Sequence, residues 1–309
     1  MSSYKTKVEI VSVTDACESQ RIDNFMFIRF KNVPKSKIYN VITKGEVRVN
    51  KKRVSPSYKL RIGDSVRLPP FVVEKTLNFK PKEEKIKQLE HAIIYEDNCL
   101  LALNKPYGMA SHGGSGISFG VIETLRASHV KRPYLELVHR LDRDTSGCLL
   151  LAKKRSTLRS LHELLRKGEI TKKYITLVKG IWPKERAIDL PLIKNQMRSG
   201  ERIVTVGALG KSTLSIFRPI KFFKETTLLE VELHTGRTHQ IRVHALASGF
   251  PIAGDEKYGN KDFNRYLKTI GLKRMFLHAY SLSFILPTGK KLEITAELPK
   301  ELRNIYEKL

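Results

Sequence analysis

The run Gly147-Cys148-Leu149-Leu150-Leu151-Ala152 carries no polar side chain, so it suits a strand inside a core rather than one with a wet face. Such a strand needs a sheet around it and layers to cover it, and 309 residues at 41% hydrophobic suffice for both. Directly ahead stands the densest polar string of the chain, His139-Arg140-Leu141-Asp142-Arg143-Asp144-Thr145-Ser146-Gly147. Turn residues feeding a core strand hold their side chains at a rigid edge, which makes this string a candidate site. The plainer reading is a charged turn with Arg–Asp pairs. Asp144-Thr145-Ser146-Gly147 has a faint likeness to the Asp-Thr-Gly of aspartic proteases. Those enzymes need two facing carboxylates, and the chain has no second copy.

A second string runs Leu233-His234-Thr235-Gly236-Arg237-Thr238-His239-Gln240-Ile241-Arg242-Val243-His244. Its three histidines recur every five residues, which on a helix rotates each about 140° from the last, so they share no face for a metal. A strand ending at Gly236 and a helix starting near Thr238 are expected. Arg237 sits at their junction, pointing into a cleft or lying on the surface. Asn104-Lys105-Pro106-Tyr107-Gly108 and Ser111-His112-Gly113-Gly114-Ser115-Gly116 form a glycine-rich loop without the Lys-Ser/Thr ending of a phosphate cradle. Lys172-Lys173-Tyr174 opens a strand that puts one tyrosine on a sheet face.

Charge narrows the partner. Fifty-seven Lys and Arg against 31 Asp and Glu give a formal +26, which calls for a polyanion such as nucleic acid. No apolar stretch approaches the roughly 18 residues of a spanning helix, and Met1-Ser2-Ser3-Tyr4-Lys5 leads into no apolar leader segment, so no membrane role is expected. Cys17, Cys99 and Cys148 are scattered and odd in number, neither a disulfide framework nor a metal knuckle. A cytoplasmic, reduced protein follows from these.

The excess charge is concentrated. Gln20 to Leu68 holds 13 Lys and Arg against three acidic residues. There Ile22, Phe25, Met26 and Phe30 recur at helical spacing. Ser36 can cap a second helix over Ile38, Val41 and Ile42, with Gly45 at its end. Val47 and Val49 alternate with polar residues as in a half-exposed strand, and Arg61-Ile62-Gly63-Asp64 turns into Ser65-Val66-Arg67-Leu68. Pro69-Pro70 is expected to close this domain, and Lys80-Pro81-Lys82-Glu83-Glu84-Lys85 reads as a linker. Beyond it, strands are expected near Ala92–Tyr95, Leu100–Leu103, Tyr174–Val178, Thr213–Phe217, Leu228–Leu233 and Leu282–Leu286, and a helix from Ser156 to about Lys167. The division is 1–19 as an extension, 20–80 as the basic domain, 81–91 as a linker and 92–309 as the main domain.

Two resemblances follow from these residues. The basic segment resembles the alpha-L (S-four-like) RNA-binding module, through Arg21-Ile22-Asp23, Pro34-Lys35-Ser36-Lys37, Lys44-Gly45-Glu46-Val47-Arg48-Val49-Asn50 and Gly63-Asp64. Its surface implies Arg21, Lys35, Lys37, Lys44, Arg48, Lys51, Lys52 and Arg53 as phosphate contacts. The His139-to-Gly147 string, the Lys105-Pro106 loop, Tyr174 and the Thr235-to-His244 segment, in this order, resemble the RluA-type pseudouridine synthases. Gly254-Asp255, Lys257-Tyr258-Gly259 and Leu277-His278-Ala279 extend that match. The fold implied is α+β: a catalytic domain with a mixed, largely antiparallel sheet flanked by helices and loops, preceded by the small RNA-binding domain. The resemblance implies a redox-neutral isomerisation of uridine in RNA, with no metal, nucleotide or other cofactor. It assigns the essential carboxylate to Asp142, acting either as nucleophile at C1′ or as base toward the ribose. Arg237 is implied as its partner, Tyr174 as the residue against the uracil, Arg140 as the side chain filling the gap left by a flipped base, and Lys105 as a further RNA contact. Val33-Pro34-Lys35-Ser36, His112–Gly116 and Ser199-Gly200-Glu201-Arg202 point to the branch acting on 23S ribosomal RNA, as a monomer. A noncatalytic RNA-binding assembly factor on the same fold is the other reading, and a nuclease or nucleosidase would want more carboxylates near Asp142.

Overall fold

The computed structural model describes residues 3–14, 17–30, 33–74, 81–114, 119–128, 130, 132–196 and 202–309. Ser115 and Gly116 of the glycine-rich loop, Lys80 of the expected linker, and Ser199, Gly200 and Glu201 lie outside them. The chain divides into two compact units, 1–80 and 81–309.

In the first unit, β1 (Ser3–Lys5) and β2 (Glu9–Ser12) precede α1 (Ile22–Arg29) and α2 (Lys35–Thr43). Then follow β3 (Arg48–Val49), β4 (Lys52–Arg53), β5 (Ser65–Leu68) and β6 (Val72–Glu74). Ile22, Met26, Ile38 and Ile42 of the helices pack on Val47, Leu60, Val66 and Leu68, all fully buried. Gly45 follows α2 at φ 75°, the left-handed residue that ends a helix. The β3–β4 hairpin turns on Asn50 and Lys51, both at positive φ, the twist a two-residue hairpin requires.

Three expectations change here. The expected extension 1–19 is, in its described residues, part of the domain: β2 pairs with β5 to extend the sheet, and Val13 enters the core. Pro69-Pro70 does not close the unit either. Phe71, 1% exposed, packs on Phe30 at 4.5 Å, and β6 pairs with β1. Helix α2 starts at Lys35, so the cap position falls on Pro34 rather than Ser36, which lies inside the first turn; the Pro34 ψ of 139° is still extended and no side chain caps the helix.

The second unit begins with α3 (Glu83–His91), where a linker was expected. Ile86 and Leu89 sit three residues apart and bury one face of it, Glu83, Glu84, Lys85 and Lys87 stay in water, and Glu90 pairs with Arg132 at 2.9 Å. Next come β7 (Ile93–Glu96), β8 (Leu100–Lys105), α4 (Val121–Arg126), β9 (Glu136–Leu137), β10 (Ser146–Ala152), α5 (Arg155–Lys167), β11 (Thr171–Lys179), β12 (Arg186–Asp189), β13 (Leu192–Gln196) and β14 (Arg202–Val206). Then β15 (Leu214–Phe222), β16 (Thr226–Leu233), α6 (Gln240–Ala247), α7 (Lys261–Thr269), β17 (Leu277–Ile285), β18 (Lys291–Thr295) and α8 (Lys300–Tyr306) complete it. Strand β16 stops at Leu233 and α6 starts at Gln240, so the loop between them is longer than the expected Gly236-to-Thr238 junction.

Among the described residues these strands form a ten-stranded sheet with the path β12-β15-β16-β11-β17-β10-β8-β7, to which β9 and β18 add. Every pairing is antiparallel except β10 with β17. The fold is α+β with a mixed, largely antiparallel sheet. Both faces of its centre are dry. Tyr174, Val178, Leu229 and Val231 pack with Ile241 and Ala245 of α6, whereas Ile175, Leu177 and Leu228 pack with Phe263 and Leu267 of α7 and Leu302 of α8. The apolar run of β10 is buried at every residue.

The one parallel pairing depends on Gly147. Its φ is 108°, and a Cβ there would stand 2.2 Å from the Ala279 carbonyl oxygen. Gly147→Ala is therefore expected to lower stability by about 3 kcal/mol through backbone strain and forced strand separation. Urea unfolding of the two proteins measures it, and coincident midpoints would refute the account.

Candidate active site

The loop before β10 is held by its main chain. Ser111 Oγ donates to the Leu141 carbonyl at 2.8 Å and accepts the Leu141 N–H at 3.0 Å. The Asp142 carbonyl takes the Thr145 N–H at 3.1 Å, and the Arg143 carbonyl takes the Gly108 N–H at 3.0 Å. Lys105 adds a third anchor. Its ammonium donates to the carbonyls of Met109, Pro106 and Arg143 at 2.7, 3.0 and 3.2 Å. Lys105 is 0% exposed, so it cannot reach RNA; the expected RNA contact is a scaffold residue. Burial, reinforced by Arg274, pulls that ammonium down to about 7.

Beneath the loop, Arg274 donates to Ser146 Oγ, which pairs with His278 Nδ1 at 2.8 Å. His278 Nε2 pairs with the Ala296 carbonyl at 2.9 Å. The Leu150 N–H donates to His139 Nε2 at 3.1 Å. Both imidazoles are neutral in these roles, and burial pulls each down to about 4.

The loop thereby presents Asp142 at a cleft of about 650 Å³. Among the described residues lining it, Asp142 is the sole carboxylate, facing Arg140, Arg166, Lys167, Lys172, Arg237 and Arg242. Tyr174 projects from β11 into the same space, 8% exposed. Burial first, then the Asp142 charge, raises its phenol, which stays protonated. Lys172 lies two residues earlier, on the same side of the strand, and is 7% exposed. No hydrogen-bond or ion-pair partner holds it among the described residues, and burial lowers its ammonium.

The arginine beside the carboxylate is Arg242, not Arg237. Arg242 Nη1 stands 3.7 Å from Asp142 Oδ2, while Arg237 is exposed at the cleft wall. Helix α6 explains the exchange, since Arg242 projects from its first turn toward the floor. Asp255 grips the far side of the guanidinium, with Nε to Oδ2 at 2.7 Å and Nη2 to Oδ1 at 2.8 Å. Burial pushes the Asp255 carboxyl up, but Arg242 and the N–H groups of Tyr258 and Lys257 outweigh it and hold it low. Sequence reasoning missed Arg242; the signal present was Gly254-Asp255, a buried acid that needs a cation.

The three histidines of the second string part ways. His234 meets Glu232 at 3.2 Å, His244 meets the Thr213 hydroxyl at 2.7 Å, and His239 stands 3.8 Å from Asp142. Gln240 fixes the loop ahead of α6. Its amide oxygen accepts from Thr235 Oγ1 and the Arg237 N–H, and its nitrogen donates to the Leu214 carbonyl and Ser215 Oγ. Arg140 is exposed at the rim, its Nη1 3.2 Å from His112 Nε2.

The family's sequence profile, described as RNA pseudouridylate synthase, matches residues 99–247, and that of the S4 domain matches residues 20–66. The chain is 50% identical to the ribosomal large subunit pseudouridine synthase C of Yersinia pestis, over 98% of this chain and 96% of that protein. The chain belongs to the RNA pseudouridine synthase family. It is 49% identical to the protein of the same name from Escherichia coli strain K12, over 100% of this chain and 99% of that one. Among solved structures, human RNA pseudouridylate synthase domain containing 4 matches with a TM-score of 0.59 at 26% identity, over 72% of this chain and 95% of that one. As a pseudouridine synthase the chain is an RNA-modifying isomerase, and no helix among its described residues is long and apolar enough to cross a membrane.

In the RNA-binding unit the basic side chains differ in availability. Arg21 is spent on Asp23, with Nη2–Oδ2 at 2.6 Å. Lys35 lies over the Phe27 ring at 5.3 Å, and Lys37, Lys44, Lys51, Lys52 and Arg53 are exposed. Arg48 stands directly across from Arg53 on one side and Arg67 on the other. Arg67, which sequence reasoning did not single out, completes that row.

Two outcomes follow for this synthase. Removing one partner of a buried pair strands the other, so Arg242→Ala is expected to cost on the order of 3–5 kcal/mol, whereas Arg237→Ala stays within about 0.5 kcal/mol. Chemical denaturation compares them, and equal losses would return Arg237 to the centre. Between pH 6.5 and about 4 the unfolded chain binds protons that folded His139 and His278 refuse, so stability falls as pH falls through that window. A thermal midpoint unchanged from pH 7 to 4.5 would contradict it.

Proposed function

We propose that this chain isomerises uridines of 23S ribosomal RNA to pseudouridine, as a cytoplasmic monomer, with Asp142 as the catalytic carboxylate. The observation that carries the reading is that, among the described residues, the cleft holds a single carboxylate and is otherwise lined by cations and neutral groups. Glycoside hydrolysis needs two carboxylates, because the departing alkoxide must be protonated. Uracil leaves as a delocalised anion, so one suffices.

Asp142 acts at the sugar, by attack on C1′ or by removing a ribose proton, and both routes use the ionised side chain. The C1′–N1 electron pair passes to the uracil, which turns and rejoins C1′ through C5. Tyr174, a neutral phenol, packs against the base and stands where the C5 proton departs. Arg242 orients Asp142 and offsets its charge. A paired base cannot reach such a cleft, so the uridine is flipped out at about a few kcal/mol, and Arg140 at the rim fills the gap. The 23S substrate rests on likeness to the large-subunit enzymes.

The Arg53–Arg48–Arg67 row is proposed to hold backbone phosphates. Its guanidinium groups have no carboxylate partner among the described residues, and Arg48 and Arg67 rest on the carbonyls of Gly45 and Glu46. Replacing Arg48 and Arg67 with alanine is expected to flatten the slope of log affinity on log salt by about 1.4–1.8. An unchanged slope would assign those charges to solubility.

Pseudouridine mapping of 23S ribosomal RNA tests the activity in three strains: wild type, deletion and Asp142→Asn. The expected result is a set of sites present in the first and missing from the other two. Three identical maps would overturn the assignment.

A further inference from the structure

Among the described residues of the second unit, His239 is the one non-glycine residue with left-handed backbone, at φ 55°. Such a conformation persists only where neighbours enforce it, and it clusters at functional sites. Gln240 fixes the loop on its N-terminal side, and the His239 ring stands edge-on to Tyr258 with 5.4 Å between centroids. The Tyr258 hydroxyl meets two groups. It accepts the Val204 N–H at 2.9 Å and lies 2.9 Å from His239 Nδ1. Tyr258 is buried. An amide N–H can only donate, so the phenol proton is left for Nδ1, and no buried donor stays idle. A neutral imidazole that accepts at Nδ1 carries its proton on Nε2. That nitrogen faces Asp142, 3.8 Å from Oδ2.

We propose that His239, fixed in its Nε2–H tautomer by Tyr258, is a positioning residue that holds Asp142 Oδ2 as RNA fills the cleft. The proposal rests on the reading of Asp142 as the catalytic carboxylate. Arg242 approaches the same oxygen at 3.7 Å and brings a full charge. His239 brings a directed donor without a second one, so the carboxylate is aimed but not overly quenched. Distances of this kind shorten when substrate binds. Asp142, Arg242, Lys257, Asp255 and Tyr258 are the charged and titratable groups around the ring. Burial lowers its affinity for a proton, Arg242 and Lys257 reinforce that, and the two aspartates oppose it; the balance is downward, toward the neutral imidazole.

Nitrogen-15 NMR of the full chain tests the tautomer without reference to activity. The expected spectrum shows the neutral His239 ring protonated at Nε2 alone, with a smaller charged fraction at pH 6.5 than free histidine, half of which is charged there. In Tyr258→Phe the two tautomers mix. A wild-type ring protonated at Nδ1 would overturn the proposal. Single-turnover conversion of a 23S fragment then tests the role. His239→Leu is expected to slow the chemical step about tenfold to a hundredfold with RNA affinity unchanged, the range for a lost bond to a charged group. His239→Gln, whose amide N–H falls near Nε2, recovers most of that loss. Wild-type rate in His239→Leu refutes positioning, and should that variant not fold, His239→Gln slowed as far as a null enzyme refutes it. Full activity in Asp142→Asn defeats the underlying assignment instead, and leaves the tautomer result standing by itself.

Discussion

The buried ion pair of Arg242 and Asp255 organises the rest of the catalytic unit. Taking two charges out of water costs several kcal/mol per ion, and their attraction offsets this only when every donor and acceptor is matched. Here it is matched. Asp255 receives two guanidinium N–H groups and the N–H groups of Lys257 and Tyr258. The Tyr258 ring lies 4.9 Å from the guanidinium carbon and spreads the charge. A lysine could not do this, because its point charge cannot bond two carboxylate oxygens in a plane while leaving a third direction for Asp142. One pair thus fixes α6, the turn after Ala253, and the cation beside Asp142.

The opposite wall is positioned by backbone rather than by charge. Leu141, Asp142 and Arg143 each have their carbonyl engaged, by Ser111, Thr145, and Gly108 with Lys105. The strand that follows is locked to β17 through Gly147, where only a missing side chain permits contact. Placement within about 0.5 Å matters for catalysis, and main-chain bonds to packed strands give it more reliably than flexible side chains do. Tyr174 belongs to the same rigid frame, since β11 pairs with β16 on one side and β17 on the other.

How much of this was legible follows from where the determining contacts lie. The β10 run, the Tyr174 strand, the β5 strand and the α5 helix could be read because their signals are local: a uniform apolar run, alternation, a 3.6-residue period. The polar turn ahead of the core strand stood out for the same reason, but Asp142 was singled out from Asp144 within it only by the family resemblance. Arg242 did not stand out, because its role depends on Asp255, 13 residues on and across a loop. Lys105 misled for a related reason. The resemblance implied it as an RNA contact, yet its head is consumed by three carbonyls, one from Arg143, 38 residues away. Helix α3 was hidden by its charges, since two buried residues in nine suffice to dock it. The N-terminal strands were hidden by their brevity, as β2 gains its meaning only by pairing with β5, some 55 residues later.

The charge distribution now has a structural logic. Like charges directly opposed across a sheet destabilise it, and Arg53, Arg48 and Arg67 are so opposed. A chain selected for stability alone would place an acid among them. Retaining three arginines on one wet face keeps a standing demand for anions, the kind of demand that nucleic-acid phosphates meet with release of salt. The catalytic cleft shows the same economy in reverse. Its rim is cationic, but the cation nearest Asp142 is already committed to Asp255, so it stands beside that carboxylate without being free to take up a phosphate.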